Sequence, residues 1–198
     1  MVHDPGTFDA LIFDCDGTLT DSMPLHYLGW RDTMLRYGIE FGEDRFYSLG
    51  GMPSNKIVAM LADEFGVAID SQAVAHEKEE AFLAYLDQLQ PILPIVDIAK
   101  NCRGKKPMAV ASGGFRDVIQ KQLVQIGVLE WFDTLVTAED TTRHKPEPDV
   151  FLEAARRMNT PANRCLVFED ADLGIEAARR AGMAYIDVRA VHMPKRWT

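Results

Sequence analysis

The chain has 198 residues, enough for one or two domains and a full hydrophobic core. Hydrophobic residues make up 47% and charged residues 26%, the balance of an ordinary globular protein. Lys and Arg number 21 against 30 Asp and Glu, and the net charge of −9 argues against non-specific binding to nucleic acid or to an anionic membrane.

In chain order, residues Met1 to Thr7 carry neither a basic region nor a long apolar stretch. No run approaches the roughly eighteen apolar residues that span a bilayer, so a cytoplasmic protein is expected. Ala10 to Phe13 reads as a buried strand, because an unbroken apolar run suits a parallel sheet covered on both faces. It ends in Asp14-Cys15-Asp16-Gly17-Thr18. Two acids at i and i+2 of an extended chain point the same way. Like charges that close need a cation, or one acid must keep its proton. The pair suits chemistry in which one carboxylate attacks and the other carries a proton, beside a metal and an anionic substrate. A solvated turn is the plain alternative, since Asp and Gly are ordinary loop residues. A calcium loop is excluded, because Gly17 comes too early after the first acid and no Glu closes the loop.

Between Asp21 and Pro91 the pattern becomes helical: His26 to Tyr37, Ser54 to Phe65 and Ser71 to Leu89 repeat apolar residues at helical spacing. Gly38, Gly50-Gly51 and Gly66 punctuate them, and Pro91 and Pro94 mark the return to the sheet. From Lys106 onward strands alternate with helices. Strands are expected at Met108 to Ala111, Thr134 to Val136, Cys165 to Phe168 and Ala184 to Val188. Helices are expected at Asp117 to Gln125, at Val150 to Met158 with Asp149 as N-cap, and at Leu173 to Arg180. An α/β protein is expected: a Rossmann-like parallel sheet core from residues 1–21 and 91–198, with a small helical bundle inserted at 22–90. Residues Val191 to Thr198 show no readable pattern. Cys15, Cys102 and Cys165 are odd in number and form no CxxC pair, which fits a reducing compartment.

In an open parallel sheet, ligands bind just outside the carboxyl ends of the strands. Four polar signals fall there: Asp14 and Asp16, Ser112-Gly113-Gly114, Lys145, and Glu169-Asp170. Each alone has an ordinary reading as a loop or a solvated side chain. Together they are chemically complementary. Carboxylates at 14, 169 and 170, with a backbone carbonyl, make a hard oxygen site suited to Mg²⁺. Ser112 and the backbone N–H groups after it can hold a phosphoryl oxygen, and Lys145 adds a point charge.

These residues resemble the haloacid dehalogenase superfamily of phosphotransferases, motif by motif and in order along the chain. Asp14-x-Asp16-Gly17-Thr18 stands for the first motif, Ser112 the second, Lys145 the third and Glu169-Asp170 the fourth. The helical bundle inserted at 22–90 looks like that superfamily's helical cap. The stretches Asp14 to Trp30, His144 to Asp149 and Phe168 to Ile175 are similar to the group of β-phosphoglucomutases and small sugar-phosphate phosphatases. The resemblance implies that Asp14 attacks phosphorus and Asp16 works as acid and base. It implies Mg²⁺ on Asp14, Asp16 (through its carbonyl), Asp170 and Glu169, with the phosphoryl group on Ser112 and Lys145. Thr18, His26, Gly51, Ser54, Lys78 and Gly113 are the expected substrate contacts. Ser54 stands where the mutases carry a cap Arg, which favours a phosphatase over a mutase. A catalytically silent sugar-phosphate binder is the alternative from another class. The implied partner is a small phosphate monoester, and a monomer is the default expectation.

Overall fold

A computed structural model of the chain describes residues 3–50 and 52–197. Five strands form one parallel sheet: β1 (Ala10–Phe13), β2 (Met108–Ala111), β3 (Thr134–Val136), β4 (Cys165–Glu169) and β5 (Ala184–Asp187), in the order β3-β2-β1-β4-β5. All five coincide with the apolar runs of the sequence, apart from one residue at the ends of β4 and β5. β1 is central, with Phe13 opposite Val110 on one side and Phe168 on the other. Every residue of β1, β2 and β4 is buried, which explains why these strands read as unbroken apolar runs.

Eight α-helices are described: α1 (Met23–Arg36), α2 (Glu43–Ser48), α3 (Ser54–Phe65), α4 (Ser71–Leu83), α5 (Leu93–Cys102), α6 (Arg116–Gln125), α7 (Asp149–Arg157) and α8 (Asp172–Arg180). Side chains alternate across the sheet. Ile12, Ala109 and Val167 meet Phe151 and Ala154 of α7 and Ala177 of α8 on one face. Leu11, Phe13, Val110 and Phe168 meet Ile95 of α5 and Ile119 and Leu123 of α6 on the other. Phe13 and Phe168 stack at 4.6 Å beneath the ends of β1 and β4, a pairing worth about 0.5–1.5 kcal/mol beyond its burial.

The helical cap, α1 to α4, has its own core, in which Trp30, Met34, Phe46, Ile57, Leu61 and Val74 pack together. It joins the sheet through two linkers that pair with each other. The Asp21 N–H donates to the Gln90 carbonyl and the Ile92 N–H to the Leu19 carbonyl, each at 2.9 Å. Among the described residues no helix is long and apolar enough to cross a membrane.

Three sequence expectations need correction. Asp149 does not cap α7 but is its first residue. Pro148 precedes it and its carbonyl accepts the Leu152 N–H at 3.0 Å, while the Asp149 carboxylate takes the Arg143 Nε–H at 3.0 Å. The run Ser71 to Leu89 is not one helix. α4 ends at Leu83 and a 3-10 turn follows at Leu86–Gln88, which brings Leu89 into a cluster with Leu25, Leu28, Phe82 and Val118. Pro94 does not mark a return to the sheet. It lies in the first turn of α5, where a missing N–H costs nothing.

Candidate active site

The carboxyl ends of β1, β2 and β4 open into a cleft of about 720 Å³ beneath the cap. Asp14, Asp16, Ser112, Gly113, Lys145, Glu169 and Asp170 border it from the sheet side. His26, Trp30, Tyr47, Ser54 and Lys78 border it from the cap. Cys15, between the two aspartates, turns away and is fully buried. Burial pushes its thiol pKa well up, and the charges of Asp16 and Asp14 add to this, so it is no nucleophile.

Two buried polar groups meet here. In the first, Lys145 Nζ donates to Asp14 Oδ1 at 2.7 Å and to Glu169 Oε2 at 3.4 Å. Asp14, Glu169 and Asp170 each place a carboxylate oxygen within 4.8 Å of the others. Burial raises the Asp14 carboxyl; the Lys145 charge opposes this without overcoming it, and the Asp16 charge adds to it. Burial and then the Asp14 charge push Glu169 well above the carboxylate range and Asp170 to about 7. For Lys145, burial would favour the neutral amine, but the Asp14 and Glu169 charges outweigh it and raise its pKa. Three crowded acids against one ammonium leave negative charge that a cation would relieve. The donor set is all oxygen, with Asp14 and Glu169 buried and Asp170 partly so, which fits a hard divalent ion.

Two glycines make room for these acids. A Cβ on Gly17, which has φ +74°, would lie 2.1 Å from Asp170 Oδ2, and one on Gly174 of α8 would lie 1.6 Å from Glu169 Oε1. Any side chain at either place would displace the carboxylate. Ser112 is 2% exposed, and its Oγ accepts the Gly114 N–H at 3.1 Å. A hydroxyl that accepts there keeps its own proton to donate.

The second group runs from Asp16 into the cap. Asp16 Oδ1 accepts from Ser22 Oγ at 2.6 Å and Gln122 Nε2 at 2.9 Å, and lies 2.8 Å from His26 Nε2. His26 Nδ1 lies 2.9 Å from Lys78 Nζ, and Lys78 also donates to Glu79 Oε1 at 3.0 Å. Ser54 Oγ donates to the same Glu79 oxygen at 3.2 Å. An ammonium only donates, so with Lys78 charged, Nδ1 accepts and Nε2–H donates to Asp16. Burial would raise the Asp16 carboxyl, but His26, Ser22 and Gln122 outweigh it and hold the group below the ordinary range.

Of the expected substrate contacts, His26, Ser54, Lys78 and Gly113 border the cleft. Gly51 lies outside the described residues. Thr18 is a correction: it is fully buried, and its Oγ1 donates to Asp170 Oδ1 at 3.3 Å, so it positions an acid instead of touching substrate.

A family model of haloacid dehalogenase-like hydrolases matches residues 8–182. The chain belongs to that family. The fructose-1-phosphate phosphatase YqaB of Escherichia coli strain K12 is 40% identical over 183 residues, spanning 92% of this hydrolase and 97% of the relative. The validoxylamine A 7'-phosphate phosphatase of Streptomyces hygroscopicus subsp. limoneus is 30% identical, spanning 93% of this chain and 87% of its own. The crystal structure of a hydrolase from Pseudomonas syringae superposes with a TM-score of 0.82 at 25% identity, covering 93% of this chain and 87% of that one.

Sequence reasoning missed Gln122 of this hydrolase. It is fully buried, donates to Asp16 and accepts from Thr20 Oγ1 at 2.8 Å. The signal was there to find: Val118, Ile119 and Leu123 form the buried face of α6, and Gln122 is the one polar residue among its buried positions.

Proposed function

We propose that this hydrolase is a Mg²⁺-dependent phosphatase of small sugar phosphates, of the fructose 1-phosphate kind. The observation that carries the reading is the convergence of Asp14, Ser112, Lys145, Glu169 and Asp170 beneath one cleft. The 40% identical relative supports the choice of a sugar phosphate.

In this reading Lys145 fixes the Asp14 carboxylate, and one of its oxygens attacks phosphorus as the bond to the sugar oxygen breaks. The departing sugar oxygen takes its proton from Asp16. A water then loses a proton to Asp16 and attacks phosphorus, the bond to Asp14 breaks, and phosphate leaves. Asp16 must therefore enter the first step protonated, although its three donors hold it as a carboxylate in the substrate-free state. Leaving those donors is thus part of the first step. Asp14, Glu169 and Asp170 would hold Mg²⁺, which supplies charge neutralisation at the phosphoryl oxygens. Ser112 and Lys145 bind the same oxygens.

A β-phosphoglucomutase is the competing reading. Ser54 speaks for hydrolysis: it meets the cleft as a neutral hydroxyl tied to Glu79, and offers no cation for a second phosphate. Phosphorus NMR of reactions with fructose 1-phosphate and β-glucose 1-phosphate decides between the two. Free phosphate that stops with EDTA and resumes with added Mg²⁺ is expected. Glucose 6-phosphate without free phosphate would make the protein a mutase, and no turnover of either would favour a silent binder.

A further inference from the structure

Beyond β5 the chain does not stay with the sheet. After a 3-10 turn at Val188–Ala190, residues 191–197 cross from the core to the cap along the cleft. Arg189, His192, Met193, Pro194 and Arg196 border the cleft itself. His192 Nε2 lies 3.1 Å from Asp21 Oδ1, in the linker that leads into the cap. The crossing ends on the cap. The Trp197 N–H reaches both carboxylate oxygens of Glu43 at 3.0 Å, and the indole Nε1–H donates to the Pro24 carbonyl at 3.0 Å. The Arg196 guanidinium lies 3.6 Å from the centre of the Tyr47 ring and 3.5 Å from Asp44. Glu43, Asp44 and Tyr47 all belong to α2, a helix of six residues that is too short to be stable by itself and is anchored to the cap core by Phe46.

Tyr47 borders the same cleft, and its hydroxyl is buried with no hydrogen-bond partner among the described residues. A buried donor of that kind is left for a ligand or pays a desolvation penalty. The ring that carries Arg196 is therefore itself part of the cleft wall.

We propose that residues 188–197 are a specificity-determining strap: they complete the leaving-group side of the cleft and hold α2, with Tyr47, over it. This rests on the phosphatase reading of the cleft. The phosphoryl group is held by residues at the strand ends, none of which belongs to the strap. A sugar leaving group fills the space toward the cap, where Tyr47, His192 and Arg196 stand. The strap adds a non-covalent connection between core and cap to the two linkers and to the side-chain contacts around Asp16 and Val118. Its loss would free α2 and widen the leaving-group side while the strand-end residues stay in place. Trp197 and Arg196 act as positioning residues.

The test compares wild type with the double variant Trp197→Ala/Arg196→Ala, using amide hydrogen exchange and kinetics on fructose 1-phosphate and on phenyl phosphate. Exchange over α2 is expected to quicken about tenfold in the substrate-free protein, with β1 and β4 unchanged. The ratio of KM for fructose 1-phosphate to KM for phenyl phosphate is expected to rise about tenfold. Arg196→Lys, which keeps a cation over Tyr47, is expected to hold most of the wild-type ratio. Unchanged exchange over α2, exchange that quickens equally throughout the sheet, or an unchanged KM ratio would each overturn the proposal. A wild-type protein that hydrolyses neither ester would defeat the phosphatase reading instead, and the exchange over α2 would still judge the strap.

Discussion

Asp14 and Asp16 stand two residues apart, yet their surroundings divide between the two halves of the molecule. Asp14 is tied to Lys145 at 2.7 Å and crowded by Glu169 and Asp170, all of them in the core. Asp16 is tied to His26 of α1, and through it to Lys78 of α4, Glu79 and Ser54 of α3. The first group stands at the ends of strands whose positions are set by sheet hydrogen bonds and close packing. The second crosses between two bodies that meet through paired linkers and side chains. The carboxylate assigned to attack is thus held wherever the cap stands. The carboxylate assigned to carry the proton is held by Gln122 from the core and by His26 from the cap, so part of its environment depends on where the cap stands.

The largest test of this division is Asp14→Asn, which removes the nucleophile and leaves the cap chain untouched. Turnover should fall by at least about 10⁴-fold in a phosphate-release assay. Full activity would end the assignment. Lys145→Ala should follow, with kcat lower by about 10³-fold, since the charge facing Asp14 and the phosphoryl group is lost. Gly174→Ala probes the core group without altering any charged residue. Its Cβ would occupy the place of the Glu169 carboxylate. Mg²⁺ titrations of activity should show an affinity weaker by about 10–100-fold. Lys78→Met should have the smallest effect, because it breaks the cap chain two links from Asp16. A kcat lower by about tenfold is expected, with Mg²⁺ affinity as in the wild type. If Lys78→Met weakened Mg²⁺ as much as Gly174→Ala does, the two groups would not be separate.

The core half was largely legible in the sequence, and the reason is physical. A strand covered on both faces must be apolar throughout, so β1, β2 and β4 stood out, and the polar residues that ended them marked the site. Thr18 was misjudged because a hydroxyl beside a motif reads the same whether it faces substrate or supports an acid. Gln122 was overlooked because its polar character had to be weighed against the buried face of α6. The helix α2 is too short for periodicity to reveal it. The strap has no regular pattern at all, because only side chains distant in sequence, Glu43 and Tyr47 among them, give it a path.

The paired linkers have a consequence of another kind. The chain leaves the sheet at Leu19 to Asp21 and returns at Gln90 to Ile92, side by side through one doorway. Whatever lies between those points can lengthen, shorten or be exchanged without asking any strand to move. A graft of a different helical insertion between Asp21 and Gln90 would leave Asp14, Lys145, Glu169 and Asp170 in place, and would change both what is admitted to them and the partners that Ser22 and His26 give Asp16.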